Sequence, residues 1–240
     1  MNQTMTKTVR EVALENPAAA RVFERLGIDY CCGGAKSLED ACRAARVNVD
    51  EVLDSLDMAA EAARASQMER NWGEEPLSEL IAHINDSHHK FIRAEIARVL
   101  PLLDKVCSAH GTNHPELLEI RSTFGGLAQE LTSHLMKEEA VLFPYVIRME
   151  EAVVGKEPIL PPPFGTVQNP IFMMEHEHDS AGDALRAMRK ASHDYEPPAE
   201  ACTSYKTLYR ALQEFEADLH RHIHLENNIL FPRALEMERA

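Results

Sequence analysis

No run of apolar residues in this chain comes near the roughly 18 that mark a membrane-spanning helix. Nor does its start resemble a secretory leader, because Met1 to Arg10 is polar. The expectation is a cytoplasmic protein with no membrane attachment. Basic residues are also scarce: Lys plus Arg number 25 against 39 Asp plus Glu, a formal net charge of -14. A chain so acidic as a whole lacks the surface that nucleic acid or anionic lipid would need. Cysteines are few, five in 240 residues with two of them adjacent, which is no disulfide framework and fits a reducing compartment. At that length one large or two small domains can bury a real core. What the chain has in excess is histidine, 12 residues of it.

Two stretches share a pattern. His134-Leu-Met-Lys-Glu138 leads to Leu142-Phe143-Pro144, and 88 residues later His222-Ile-His-Leu-Glu226 leads to Leu230-Phe231-Pro232. A spacing of four on a helix stacks the imidazole above the carboxylate on one face. Each pattern has an upstream partner: His89 lies 45 residues before His134, and His178 lies 44 before His222. The chain thus alternates a His helix with a His-x3-Glu helix, twice over. Joined antiparallel, four such helices bring four histidines and two glutamates into one bundle core. Six ligands are too many for one zinc but suit two first-row metals bridged by the carboxylates, and imidazole with carboxylate suits iron. The expected centre holds two non-haem iron ions on His89, His134, Glu138, His178, His222 and Glu226, with an oxo or hydroxo bridge. Asp86, Glu130, Glu175 and Asp218 are the acids expected to accept from the imidazole N–H groups.

A rival scheme uses Glu-x-x-His on two helices and a lone Glu on the others. Glu175 with His178 fits it and Asp86 with His89 nearly does, but His134 and His222 would have no task. His88 points about 100° away from His89 on an ideal helix and is left out. His83, His110, His114, His176, His193, His220 and His224 fall outside the phase and are expected at the surface. Met136 and Met174 are expected to serve packing.

The rest of the chain reads as helices throughout. Thr8 can cap a helix over Val9 to Glu15, Pro17 can open a second and Gly27 close it. Ser37 with Asp40, and Asn48, are start signals for two more. Residues 1–66 form a small helical domain in this reading, residues 67–75 around Trp72 a linker, and residues 76–240 the four-helix bundle. Helices are expected from Pro76 to Gly111, from about Pro115 to Val154, from Asn169 to near Tyr195, and from about Pro198 to Glu236. A stiff, proline-rich crossover separates the second from the third. Gly125-Gly126 marks a weak point or a close approach. In the loop Tyr30-Cys31-Cys32-Gly33-Gly34 the thiols cannot easily pair with each other, since adjacent Cα atoms are about 3.8 Å apart. Either they have a thiol role in metal, nitric oxide or redox chemistry, or they merely pack. Packing is expected for Cys42, Cys107 and Cys202.

Together the Cys31-Cys32-Gly33-Gly34 loop, the His134 to Pro144 stretch, Met174-Glu-His-Glu-His178-Asp179 and the His222 to Pro232 stretch resemble the repair-of-iron-centres proteins, also called RIC or ScdA-like. The resemblance covers nearly the whole chain. It implies an all-α fold, with a Cys-Cys-Gly-Gly domain ahead of a hemerythrin-like di-iron bundle. It implies a bacterial cytosolic stress protein that restores damaged iron-sulfur proteins by giving up iron, with nitric oxide or oxygen species as small ligands. Nitric oxide or peroxide reduction at the same centre is a second reading, and sensing or carriage of a diatomic gas a third. A homodimer is compatible with all three. Oxygen-carrying hemerythrins place a second histidine four residues from the third-helix ligand, where this chain has Met174 and Gly182. One imidazole fewer implies a more open and more labile centre.

Overall fold

The computed structural model describes residues 3–16, 18–66 and 70–239. Pro17, expected to open a helix, and Gln67, Met68 and Glu69 of the expected linker lie outside them. The described chain is all-α: after a 3-10 turn, Gln3–Thr6, come α1 (Val9–Glu15), α2 (Ala19–Arg25), α3 (Leu38–Ala45) and α4 (Val49–Ser66). The long helices are α5 (Leu77–His83) with α6 (Lys90–His110), α7 (Glu116–Lys137) with α8 (Phe143–Gly155), α9 (Gln168–Ala191), and α10 (Thr203–Leu225) with α11 (Phe231–Arg239). No helix among the described residues is long and apolar enough to cross a membrane. The chain forms two compact units, residues 1–80 with 220–240, and residues 81–219.

In the first unit the helix ends lie where capping chemistry puts them. Thr8 Oγ1 accepts from Glu11 N at 3.1 Å, and Glu11 Oε2 accepts in return from Thr8 N at 2.7 Å. Gly27 takes φ +67° at the end of α2, so that Ile28 N reaches back to Phe23 O at 2.8 Å. Ser37 caps α3, and Asn48 Oδ1 accepts from Asp50 N at 2.9 Å at the start of α4. The amphipathic faces so arranged bury Val9, Val12, Val22, Phe23, Leu38, Val52 and Leu56 in one core. Each such side chain contributes about 1.5–3 kcal/mol.

In the second unit α7 packs against both α6 and α9. Phe124 of α7 meets Phe215 of α10 edge-on, with centroids 5.2 Å apart. Pro101 is carried inside α6, and the helix is capped at Gly111, as the sequence suggested. The Gly125-Gly126 pair is not a point of close approach, for a Cβ on either would meet nothing within 4 Å.

Candidate metal centre

Three of the six candidate ligands sit on π-helical turns. His89 ends one (Ile84–His89), Glu138 opens a second (Glu138–Leu142) and Glu226 opens a third (Glu226–Leu230). Such turns are rare and gather at functional sites, because the extra residue in the turn re-aims the side chains around it.

Within residues 81–219, His89, His134, Glu138 and His178 are all buried. One oxygen of Glu138 lies 3.4 Å from His89 Nε2 and the other 3.2 Å from His134 Nε2. His178 Nε2 lies 3.1 Å from His134 Nε2. The outer nitrogens are held by carboxylates: His89 Nδ1 donates to Glu139 at 2.7 Å, and His134 Nδ1 to Glu177 at 2.8 Å. Two hydrogen bonds from Arg93 hold Glu139 below the usual carboxylate range. Partial burial pushes Glu177 up, but hydrogen bonds from Lys137 and His134 bring it below that range. Both acids are therefore acceptors, which fixes the proton of each imidazole on Nδ1 and turns the Nε2 lone pair inward.

Within the other unit, His222 Nε2 stands 3.2 Å from Glu226 Oε1, both fully buried. Within residues 81–219 the ligand atoms of His134, Glu138 and His178 lie within 4.8 Å of one another, and so do those of His89 and Glu138. Glu138 is common to both. A buried set of imidazoles and carboxylates of this composition can bind metal.

The chain was compared with known proteins. Residues 80–234 match the hemerythrin HHE cation binding domain, and residues 5–60 match ScdA_N, a domain of unknown function (DUF542). The chain belongs to the hemerythrin HHE cation binding domain family. It is 34% identical over 233 residues to the iron-sulfur cluster repair protein YtfE of Pectobacterium carotovorum, covering 97% of this chain and 98% of that one. It is 35% identical over 228 residues to the protein of the same name from Escherichia coli O81, covering 95% and 96%.

Within this hemerythrin-type chain the acids expected to support the imidazoles stand elsewhere. Asp86 pairs with Lys90 at the surface, at 2.5 Å, Glu130 accepts from Ser180 at 3.2 Å, and Glu175 is exposed. Asp218 takes His88 Nδ1 at 3.1 Å. The acceptors that sequence reasoning missed, Glu139 and Glu177, adjoin Glu138 and His178 in sequence but serve a histidine on another helix. His88 is itself buried, because the π turn lets two consecutive histidines face inward. His224, expected at the surface, is buried too, and burial lowers its pKa to about 4. Met174 is buried as expected, whereas Met136 is exposed.

Cys31 is buried and Cys32 partly so. Their sulfurs lie 3.8 Å apart, and Cys31 Sγ is 3.5 Å from Asp29 Oδ1. The hydrogen bond to Cys32, burial and the nearby charge of Asp29 push the Cys31 thiol well above its ordinary range. Cys31 is thus a protonated thiol at neutral pH, and a cation would have to displace that proton to bind there. Cys42 and Cys107 are buried, as packing predicts, but Cys202 is exposed with its Sγ 3.1 Å from His110 Nε2.

Proposed function

We propose that this chain is a non-haem di-iron protein that repairs iron-sulfur clusters damaged by nitrosative or oxidative stress, and that it does so by supplying iron. The observation that carries the reading is Glu138, which presents one oxygen to His89 Nε2 and the other to His134 Nε2, as a carboxylate shared by two ions would. The two ions would be held by His89, His134, Glu138, His178, His222 and Glu226, with the glutamates as bridges. The damaged iron-sulfur proteins are the partners, by analogy with the relatives named for that repair.

Bound iron would supply a redox-active cation that a damaged cluster can take up. The protein's part is preorganisation. Glu139 and Glu177 hold two of the rings with Nε2 inward, and burial of all six donors keeps bulk water out. Four protein donors per ion fall short of the six that iron commonly takes, so small ligands can enter and the ion can leave. Lability of that kind suits donation better than storage.

Anaerobic loading with ferrous iron, followed by incubation with a nitric-oxide-damaged iron-sulfur protein, tests the reading. The expected result is two irons per chain at the start, and iron lost in step with cluster activity regained. Retention of both irons with repeated turnover to nitrous oxide would instead make the protein a reductase, and reversible gas binding with no loss of iron a carrier.

A further inference from the structure

The turn that begins with Glu226 is buried along its entire length, Glu226, Asn227, Asn228, Ile229 and Leu230 alike. What covers its far side is the Cys31-Cys32 loop. Asn228 Nδ2 donates to Tyr30 O at 2.9 Å, and Asn227 Nδ2 to Cys31 O at 3.4 Å. Asn228 Oδ1 accepts from Arg10 Nε of α1 at 2.8 Å. The same oxygen explains Gly34: a Cβ there would lie 2.8 Å from it, closer than real Cβ contacts come. The Tyr30 ring meets that of His224, one turn before Asn228, at 5.4 Å. In the first copy of the repeat the position of Asn228 is held by Ala140, which is exposed. Besides donating to His224 Nδ1 one turn back at 2.8 Å, the carboxamide thus serves the loop and α1.

We infer that Asn228, with Gly34 opposite it, is a positioning residue that holds the two thiols against the turn carrying Glu226, so that a cation passing to or from that carboxylate meets Cys31 and Cys32 first. This rests on the reading of the chain as an iron donor. The carboxamide joins the turn to two partners outside its own helix, the carbonyl of Tyr30 and the guanidinium of Arg10. Any shorter side chain releases both at once. Cys31, buried within the docked loop, becomes reachable when the loop lifts, and the hydrogen bonds of Asn228 set how often it does.

The test is alkylation of Cys31 and Cys32 by iodoacetamide, read by peptide mass mapping, in the metal-free and the iron-loaded protein. Asn228→Ala, which the first repeat shows to be compatible with such a turn, should speed alkylation of Cys31 about tenfold through the loss of two hydrogen bonds. Gly34→Ala should do the same, since its methyl group pushes on the same oxygen. In the Asn228→Ala background, Gly34→Ala should add almost nothing, because the atom it strikes is gone. Loaded with iron, Asn228→Ala should keep two ions but repair clusters more slowly. Unchanged alkylation in both single variants, or effects that add in the double variant, would overturn the docking. Faster alkylation with undiminished repair would remove the thiols from the path. The metal-free arm reads the docking even if the iron-donor reading fails.

Discussion

Removing Glu139 tests the centre where the structure departs most from the helix pattern. Its carboxylate takes His89 Nδ1 at 2.7 Å and both terminal nitrogens of Arg93 at 2.8 and 2.9 Å, so it is anchored and ionised. In Glu139→Ala the His89 ring loses the acceptor that fixes its tautomer and can carry its proton on Nε2, where it cannot ligate. Support of this type is worth about 10–100-fold in metal affinity, or about 1.4–2.7 kcal/mol at roughly 1.36 kcal/mol per tenfold. The loss should fall on the ion of the His89 group, whereas Glu177→Ala should weaken the ion of the His134 group. Competition against a chromophoric chelator, with ferrous or zinc ion, reads the two affinities separately. Asp86→Ala is the control, for Asp86 pairs with Lys90 at the surface and should leave both affinities unchanged. Wild-type affinity at both sites in Glu139→Ala, or an equal loss in Asp86→Ala, would refute the assignment of the acceptors.

Glu138→Ala and Glu226→Ala should each lower occupancy by both ions, measured as metal per chain, because each is proposed as a bridge between the two. His88→Ala should leave metal content unchanged but destabilise the metal-free protein by about 1–3 kcal/mol in urea unfolding, since buried Asp218 loses one partner. Tyr195→Phe should cost about 1.5–3 kcal/mol with no effect on metal, because buried Glu216 accepts from Tyr195 at 2.6 Å and from Arg189 Nε at 2.8 Å. Burial and the charge of Glu216 push the Tyr195 hydroxyl pKa up, so the folded state binds this proton more tightly than the unfolded one. Its contribution is full below the unfolded tyrosine value of about 10 and falls as pH rises above it, which unfolding of wild type and Tyr195→Phe at pH 8 and 11 will show.

The parts of this fold that could be read from the residues are those decided within a turn or two. Thr8, Ser37, Asn48 and Gly27 act on backbone groups three to five residues away, and all four do what their chemistry suggests. The gathering of His134 with Glu138 and of His222 with Glu226 is of the same order, a spacing of four on one helix face. The acceptors are different. Glu177 reaches His134 across 43 residues and Glu139 reaches His89 across 50, and no local rule links them. Looking one turn back along the same helix picks Asp86 and Glu130 instead, whose side chains face Lys90 and Ser180.

The turns after Glu138 and Glu226 explain the rest. Asn227 and Asn228 stand where the first copy has Glu139 and Ala140, yet both are buried, as are the four residues before Glu226 on α10. These are two of the positions at which the copies differ, and here the divergence follows from what lies beside each turn. Glu139 is only partly exposed because it turns to His89, and Ala140 faces water. At the second copy a loop from the N-terminal helices lies against the same positions, so a carboxylate is replaced by a carboxamide that can donate to the carbonyl of Cys31, and a methyl group by one that can donate to the carbonyl of Tyr30. A carboxylate at either place would set an anion against a carbonyl oxygen in a buried site, a cost of several kcal/mol. At Glu139/Asn227 and Ala140/Asn228 the two copies of one pattern thus differ because one of them also binds a piece of its own chain.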